Sequence, residues 1–364
     1  MRSMNSKKMN VHFLLDPLES LHGPLMPAYL IAKELREKFD FVFVSQTING
    51  DVAEQLSSFG FRTYDLHKHF LFSGSLLTLE AWLRRTRFEP SNAESSFVVN
   101  FSQCFLADAH VYYAQGPMIR ALDDMRPEMN RTHSLAYGLA RWAFIKHDKA
   151  FVKKIKERSK LVVANSGFCA RMYEDLGFKV DAIIYPPSDC ELFKPVTVSP
   201  SGAYALAYAG KETKYSMLKK IAEVGVKVKA FGSKAPFPDA LLRQPNLEFV
   251  GKVTDKELVN LYSNALFTLS VFTHEPFGYI PVESMACGTP VLTYDRQGPS
   301  ESVINGKTGW FVENDQQLVN VALELWKKGY SSSFRRDCRQ RALDFDVKRI
   351  SNEWLKLIEG FSEI

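Results

Sequence analysis

The sequence predicts an α/β protein built as two doubly wound, parallel-sheet domains, and three observations carry that prediction. Short apolar runs of strand length alternate with helical stretches along the whole chain. A proline-rich segment from Tyr185 to Pro200, with Pro186, Pro187 and Pro195 inside it, interrupts the alternation near the middle. Between Ala265 and Tyr294 the chain reads strand, loop, helix, strand, which is a βαβ unit. At 364 residues and 46% hydrophobic, the chain can bury two ordinary cores.

Taken in order, the apolar run 11–15 predicts a first buried strand, followed by a loop holding His22-Gly23-Pro24, a helix over 29–38 and a strand over 41–45. Further strands are expected at 61–64, 97–101, 110–113 and 161–164. After the proline segment come strands at 204–210, 226–231 and 247–250, a helix over 255–263 and a strand over 265–272. The next helix should begin near Gly278, because Pro281 is tolerated in a first turn, and should stop at Gly288 before a strand over 290–294. The stretch 334–361 reads as helices. The expected division is a domain over 1–190, a second over 191–345, and a terminal helical segment over 346–364.

The candidate site lies in that βαβ unit. Glu275 and Glu283 sit eight residues apart astride the turn that opens the helix at Gly278. The first N–H groups of a helix have no intrahelical partner and carry the positive end of its dipole, so a diphosphate can bind there. A carboxylate accepts two hydrogen bonds at once, which fits vicinal hydroxyl pairs. A nucleotide sugar has such pairs on both sides of its diphosphate, and in open parallel sheets ligands bind beyond the carboxyl ends of the strands.

Glu275-Pro-Phe-Gly278, the second glutamate eight residues later, and Ala286-Cys-Gly-Thr-Pro-Val291 resemble the donor site of retaining glycosyltransferases of family four, which have the GT-B fold. The segments 161–166, 184–189 with Phe193, and 306–312 resemble the strand, linker and turn flanking that site in the family. The resemblance implies two Rossmann-like domains facing a central cleft, a UDP- or GDP-sugar donor bound by 191–345, a hydroxyl acceptor bound by 1–190, and a terminal helix crossing back onto the first domain. It also implies roles. Glu283 holds the ribose and Glu275 the transferred sugar, with Phe277, Gly278 and the N–H groups of Tyr279 and Ile280 lining the donor. The loops at Gly232 and Val253 enclose the base, and Gly23 approaches the phosphates. Lys211 and Lys214 stand where the family has an arginine and a lysine against the departing β-phosphate, and Lys219 or Lys220 could take the second place. Where many relatives carry a histidine the chain has Gln115, which can position the sugar but cannot act as acid or base. His274 is read as shaping the loop. No metal and no cofactor are expected.

The net charge of +5 does not suggest a nucleic-acid partner. From Arg141 to Lys160, however, eight Lys or Arg face only Asp148 and Glu157, with Lys146, Lys149, Lys153, Lys156 and Lys160 recurring at helical spacing. This stretch is either a solvated helix face or a contact for anionic headgroups, and with it goes a lipid-linked or glycan acceptor at the cytoplasmic membrane face. Residues 82–88, mixing aromatics with arginines, are a second candidate for an interfacial segment. No stretch approaches the roughly 20 apolar residues of a membrane span, and 1–10 lacks a signal-like apolar run. Five scattered cysteines suit a reducing, cytoplasmic compartment. Two other readings are an epimerase of the same fold, using Asp16, Glu19 and His22, and a non-catalytic partner subunit.

Overall fold

The computed structural model describes residues 8–20, 23–89, 96–129, 131–233 and 244–362. Two compact units emerge, each built around its own parallel sheet.

The first unit gathers the residues up to Arg120, Ala136–Pro187 and those from Val347 onward. Its strands are β1 (Met9–Leu15), β2 (Phe39–Ser45), β3 (Arg62–Asp65), β4 (Ser96–Asn100), β5 (Ala109–Ala114), β6 (Ser159–Ala164) and β7 (Ala182–Ile183), in the order β3-β2-β1-β4-β5-β6-β7. Every pairing is parallel, and β4 is buried along its whole length, with Phe97, Val98 and Val99 apolar at its centre. Phe13 of β1 meets Phe43 edge-on at 5.9 Å and Phe101 at 5.0 Å, so the alternate phenylalanines of β1 and β2 fill one layer. The final helix, Val347–Ser362, closes that layer with Ile350, Trp354 and Ile358. The Trp354 ring stacks on Phe101 at 5.8 Å and meets Tyr113 at 5.3 Å.

Several elements differ from expectation, each for a local reason. The first helix spans Met26–Leu35 and starts earlier than 29, because Pro27 is compatible with a first turn. β5 begins one residue before the expected 110 and holds His110 inside it, its Nδ1 accepting the Val98 N–H at 3.2 Å and its ring stacked on Phe97. Two-residue strands such as β7, or the pair Thr86–Arg87 and Phe105–Leu106, carry no period that a sequence reading could detect. The basic helix runs Arg131–Arg158, so Lys160 belongs to β6 and leaves the helical row. Trp82 is fully buried and Arg85 lies across Phe151 at 4.4 Å, donating to the His147 carbonyl, which removes 82–88 as an interfacial segment.

The second unit comprises Ala121–Leu135 and Ser188–Asp346. Its strands are β8 (Ala205–Ala209), β9 (Val228–Gly232), β10 (Leu247–Gly251), β11 (Phe267–Ser270), β12 (Val291–Tyr294) and β13 (Gly309–Val312), ordered β10-β9-β8-β11-β12-β13. Again all pairings are parallel. The strand order reverses between β8 and β11, which makes the carboxyl ends of these two strands the switch point where open parallel sheets bind ligands. All five cysteines of the chain are buried free thiols.

Candidate functional site

The loops that leave β8 and β11 at this switch point are zipped together by their backbones. Lys214 N–H donates to Val271 O at 2.8 Å, Thr273 N–H donates to Glu212 O at 2.8 Å, and Thr213 bridges Phe272. Inside the first loop, Gly210 N–H donates to Thr213 Oγ1 at 3.0 Å and Tyr215 Oη donates to Gly210 O at 2.7 Å. A Cβ on Gly210 would stand 2.2 Å from the Tyr208 ring, so a side chain here would require that ring to move.

Lys211 and Lys214 leave this loop in different situations. The Lys211 side chain is 57% exposed, with Nζ 3.4 Å from Glu212 Oε1. Lys214 Nζ sits 2.6 Å from Asp315 Oδ1, and Tyr294 Oη donates to the same oxygen at 2.7 Å. One lysine is therefore exposed at the switch point while the other is tied to the start of the helix Asp315–Lys328. Lys219 pairs within its own helix with Glu223 at 3.7 Å.

The β11 loop ends at Gly278, whose φ of +98° is open to glycine and excluded from a helix, so the helix begins at Tyr279 and runs to Ala286. Tyr279 and Ile280 hold its first two positions, where N–H groups lack intrahelical acceptors. Phe277 is buried against Tyr279 and Phe345. Glu283 is the fifth helical residue and so lies in the second turn. Its Oε2 accepts the Tyr262 hydroxyl at 3.2 Å. The backbone N–H groups of Phe277 and Gly278 face the Glu275 carboxylate and favour its charged form.

Burial pushes both carboxyls up to about 8; for Glu275 the charge of Glu212 adds to the effect, and for Glu283 that of Asp255. Two half-buried glutamates with raised values beside one switch point are expected of a binding or reacting site, where hydroxyl donors from a ligand can stabilise the charged form. Among the described residues no group of three or more His, Cys, Asp or Glu stands together as a metal site.

Residues from elsewhere in the unit complete the site, and the sequence reading did not find them. Gln297, in the loop after β12, accepts Glu275 N–H through Oε1 at 2.8 Å and donates from Nε2 to Thr273 O at 2.9 Å. Gly298 N–H donates to Glu275 O at 3.0 Å. A Cβ on Gly298 would fall 2.3 Å from Phe277 Cα, so the two loops touch through their backbones. The dipeptide Gln-Gly before Pro299 is a turn signal, but its partner is 22 residues away. His274, adjacent to Glu275, has Nδ1 2.9 Å from Asp124 Oδ2, which accounts for its place in the loop. Glu212 was likewise missed.

The other expected donor contacts are spread over both units. Gly232 ends β9 with φ +126°, and a Cβ there would stand 2.4 Å from Ala209 O. The chain after Ser233, residues 234–243, lies outside the described residues. Val253 is half-buried in the loop before the helix Asp255–Asn264. In the first unit, Gly23 has φ +71° with open space around it. Gln115 donates from Nε2 to Phe101 O at 3.1 Å, so its amide nitrogen is engaged within that unit. Asp16 accepts the Ser102 hydroxyl and Glu19 accepts Gly74 N–H at 3.1 Å, so both acids of the epimerase reading are engaged, and His22 lies outside the described residues.

Two doubly wound units, the second with this switch point, define the class: the fold is that of the GT-B glycosyltransferases. Solved structures share it across nearly the whole chain. Anabaena Alr3699/HepE in complex with UDP and glucose superposes with a TM-score of 0.70 at 17% identity, over 96% of this chain and 99% of that one. Sucrose-phosphate synthase of Thermosynechococcus elongatus gives 0.72 at 16%, over 98% and 100%. Residues 239–344 match the family described as Glycosyl transferases group 1, in agreement with the family-four resemblance of the motif. A probable sucrose-phosphate synthase of Thermosipho melanesiensis is 31% identical over 116 residues, 31% of this chain and 27% of that protein. The mannosyltransferase alg-2 of Neurospora crassa is 28% identical over 165 residues, 44% of this chain and 28% of its own length. The chain thus matches little more than a quarter of the length of these relatives.

Proposed function

We propose that this protein is a retaining glycosyltransferase that moves a sugar from a UDP- or GDP-sugar to a hydroxyl acceptor, without a divalent metal. The observation that carries the reading is the meeting of Glu275, the Gly278 helix start and Lys211 at the switch point of the second sheet. In this reading the C1–O bond to the β-phosphate breaks, the acceptor oxygen bonds C1 on the same face, and the acceptor proton passes to the departing phosphate. Negative charge then develops on the β-phosphate, where Lys211 and the Tyr279 and Ile280 N–H groups would meet it. Lys214 would contribute less, because its pairing with Asp315 offsets its charge.

The carboxylates divide the donor between them. Glu283 takes the ribose diol and Glu275 the hydroxyls of the transferred sugar, with the loops at Gly232 and Val253 beside the base. HepE, of the same fold, is known with UDP-glucose bound, which favours a nucleotide sugar as ligand. The five buried thiols suit a reducing, cytoplasmic compartment.

The test is turnover with a panel of nucleotide sugars, comparing the wild-type protein with Glu283→Ala and Lys211→Ala. Losses of about a hundredfold or more in each are expected. Undiminished activity in both variants, or an isomerised donor formed without acceptor, overturns the assignment.

A further inference from the structure

The helix Arg131–Arg158 presents two faces of opposite character. Tyr137, Asp148, Phe151, Val152 and Ile155 are buried on one side. On the other, Leu139 is 82% and Trp142 67% exposed, and the same row continues through Lys146, Lys149 and Lys153, all exposed. These positions follow one another by three or four residues, so they form a single stripe that is apolar at one end and cationic along the rest.

Burial changes the charge count of this helix. Asp148, one of the two acids in 141–160, is 1% exposed, accepting the Trp82 indole N–H at 3.3 Å and the Ile119 N–H at 2.9 Å. It is therefore turned away from the lysines. Lys146 Nζ lies 3.6 Å from the Trp142 ring centroid, an arrangement in which the indole and the ammonium leave the helix together.

We propose that this stripe docks the protein on an anionic lipid bilayer, with Leu139 and Trp142 entering the headgroup boundary and Lys146, Lys149 and Lys153 lying on the phosphates. An exposed leucine and tryptophan one turn apart have no use for a purely solvated face, whereas a row of lysines alone would bind phosphate without needing them. The combination meets both halves of an anionic membrane surface, apolar chains below and negative charge above. Long lysine stems allow the ammonium groups to stay at the phosphate level while the indole goes deeper. The inference stands on the first unit alone and is independent of the donor-site reading.

The experiment is co-sedimentation of the full chain with vesicles of phosphatidylcholine, pure or with about 30% phosphatidylglycerol. Binding to the anionic vesicles should exceed binding to the neutral ones by about tenfold or more and should fall as salt rises from about 0.05 to 0.3 M. Leu139→Ser with Trp142→Ala should lower it about tenfold, and Lys146→Glu with Lys149→Glu and Lys153→Glu should abolish it, both at unchanged melting temperature because every position is exposed. Equal binding to neutral vesicles, no binding to either, or variants that bind as the wild type does overturn the proposal. So does self-association in sedimentation velocity that the Leu139/Trp142 variant removes, since a second copy would then be what the stripe meets.

Discussion

Gln297 Oε1 accepts the backbone N–H of Glu275 at 2.8 Å. With its Nε2 on Thr273 O at 2.9 Å, one side chain from the β12 loop fixes both ends of a two-residue step in the β11 loop. Gln297 itself sits at φ +62°, a conformation that disfavours side chains. Gln297→Ala should lower kcat/KM for the donor about tenfold, the loss of two hydrogen bonds offset by nothing. Gln297→Gly relieves the backbone yet also loses the bonds. If the glycine variant keeps wild-type activity, the bonds do not position Glu275.

Gly298 and Gly23 make a contrasting pair of glycines. An added Cβ at Gly298 meets Phe277 Cα at 2.3 Å and Pro276 O at 2.4 Å, whereas at Gly23 it meets nothing. Gly298→Ala should therefore displace the donor loop and cost several kcal/mol in denaturant unfolding, and Gly23→Ala should cost about 1 kcal/mol, from its φ of +71° alone.

The raised carboxyls predict how stability follows pH. Glu275 and Glu283 hold their protons up to about 8 in the native protein, against an ordinary value of 4.5 in the unfolded chain. Between those values the native state binds more protons, so stability from these groups is full below pH 4.5 and declines as pH rises toward 8, by up to about 1.4 kcal/mol per pH unit for each. Glu283→Gln removes one of the two contributions and should flatten thermal stability between pH 5 and 8, a window read from the same shifts. An unchanged slope means that Glu283 is ionised throughout.

Lys211 and Lys214 should separate by readout. Lys214→Ala leaves Asp315 with Tyr294 alone and should reduce stability by about 1 kcal/mol together with activity. Lys211→Ala, at an exposed side chain, should reduce turnover with the melting temperature unmoved.

Trp354 tests the role of the final helix in the first unit. The side chain is fully buried against Phe101 and Tyr113, and Trp354→Ala should cost about 3–5 kcal/mol, read as a shifted urea midpoint. A change below about 1 kcal/mol means that this helix is dispensable to that core.

The sequence by itself determined the parallel sheets, because strands buried on both faces must be continuously apolar and helices between them must be amphipathic. It also determined the helix at Gly278, since a glycine, a proline and a terminating Gly288 punctuate the chain locally. Tertiary structure alone decided which groups meet that helix. Gln297 reaches Glu275 across 22 residues, Asp124 reaches His274 across 150, and Asp315 reaches Lys214 across 101, and no local period encodes such pairings. It decided as well that Trp82 is interior while Trp142 is exposed, though both sit among basic residues. Composition sets what a segment can bury, but which face finds a partner depends on the neighbour that the sheet order brings to it.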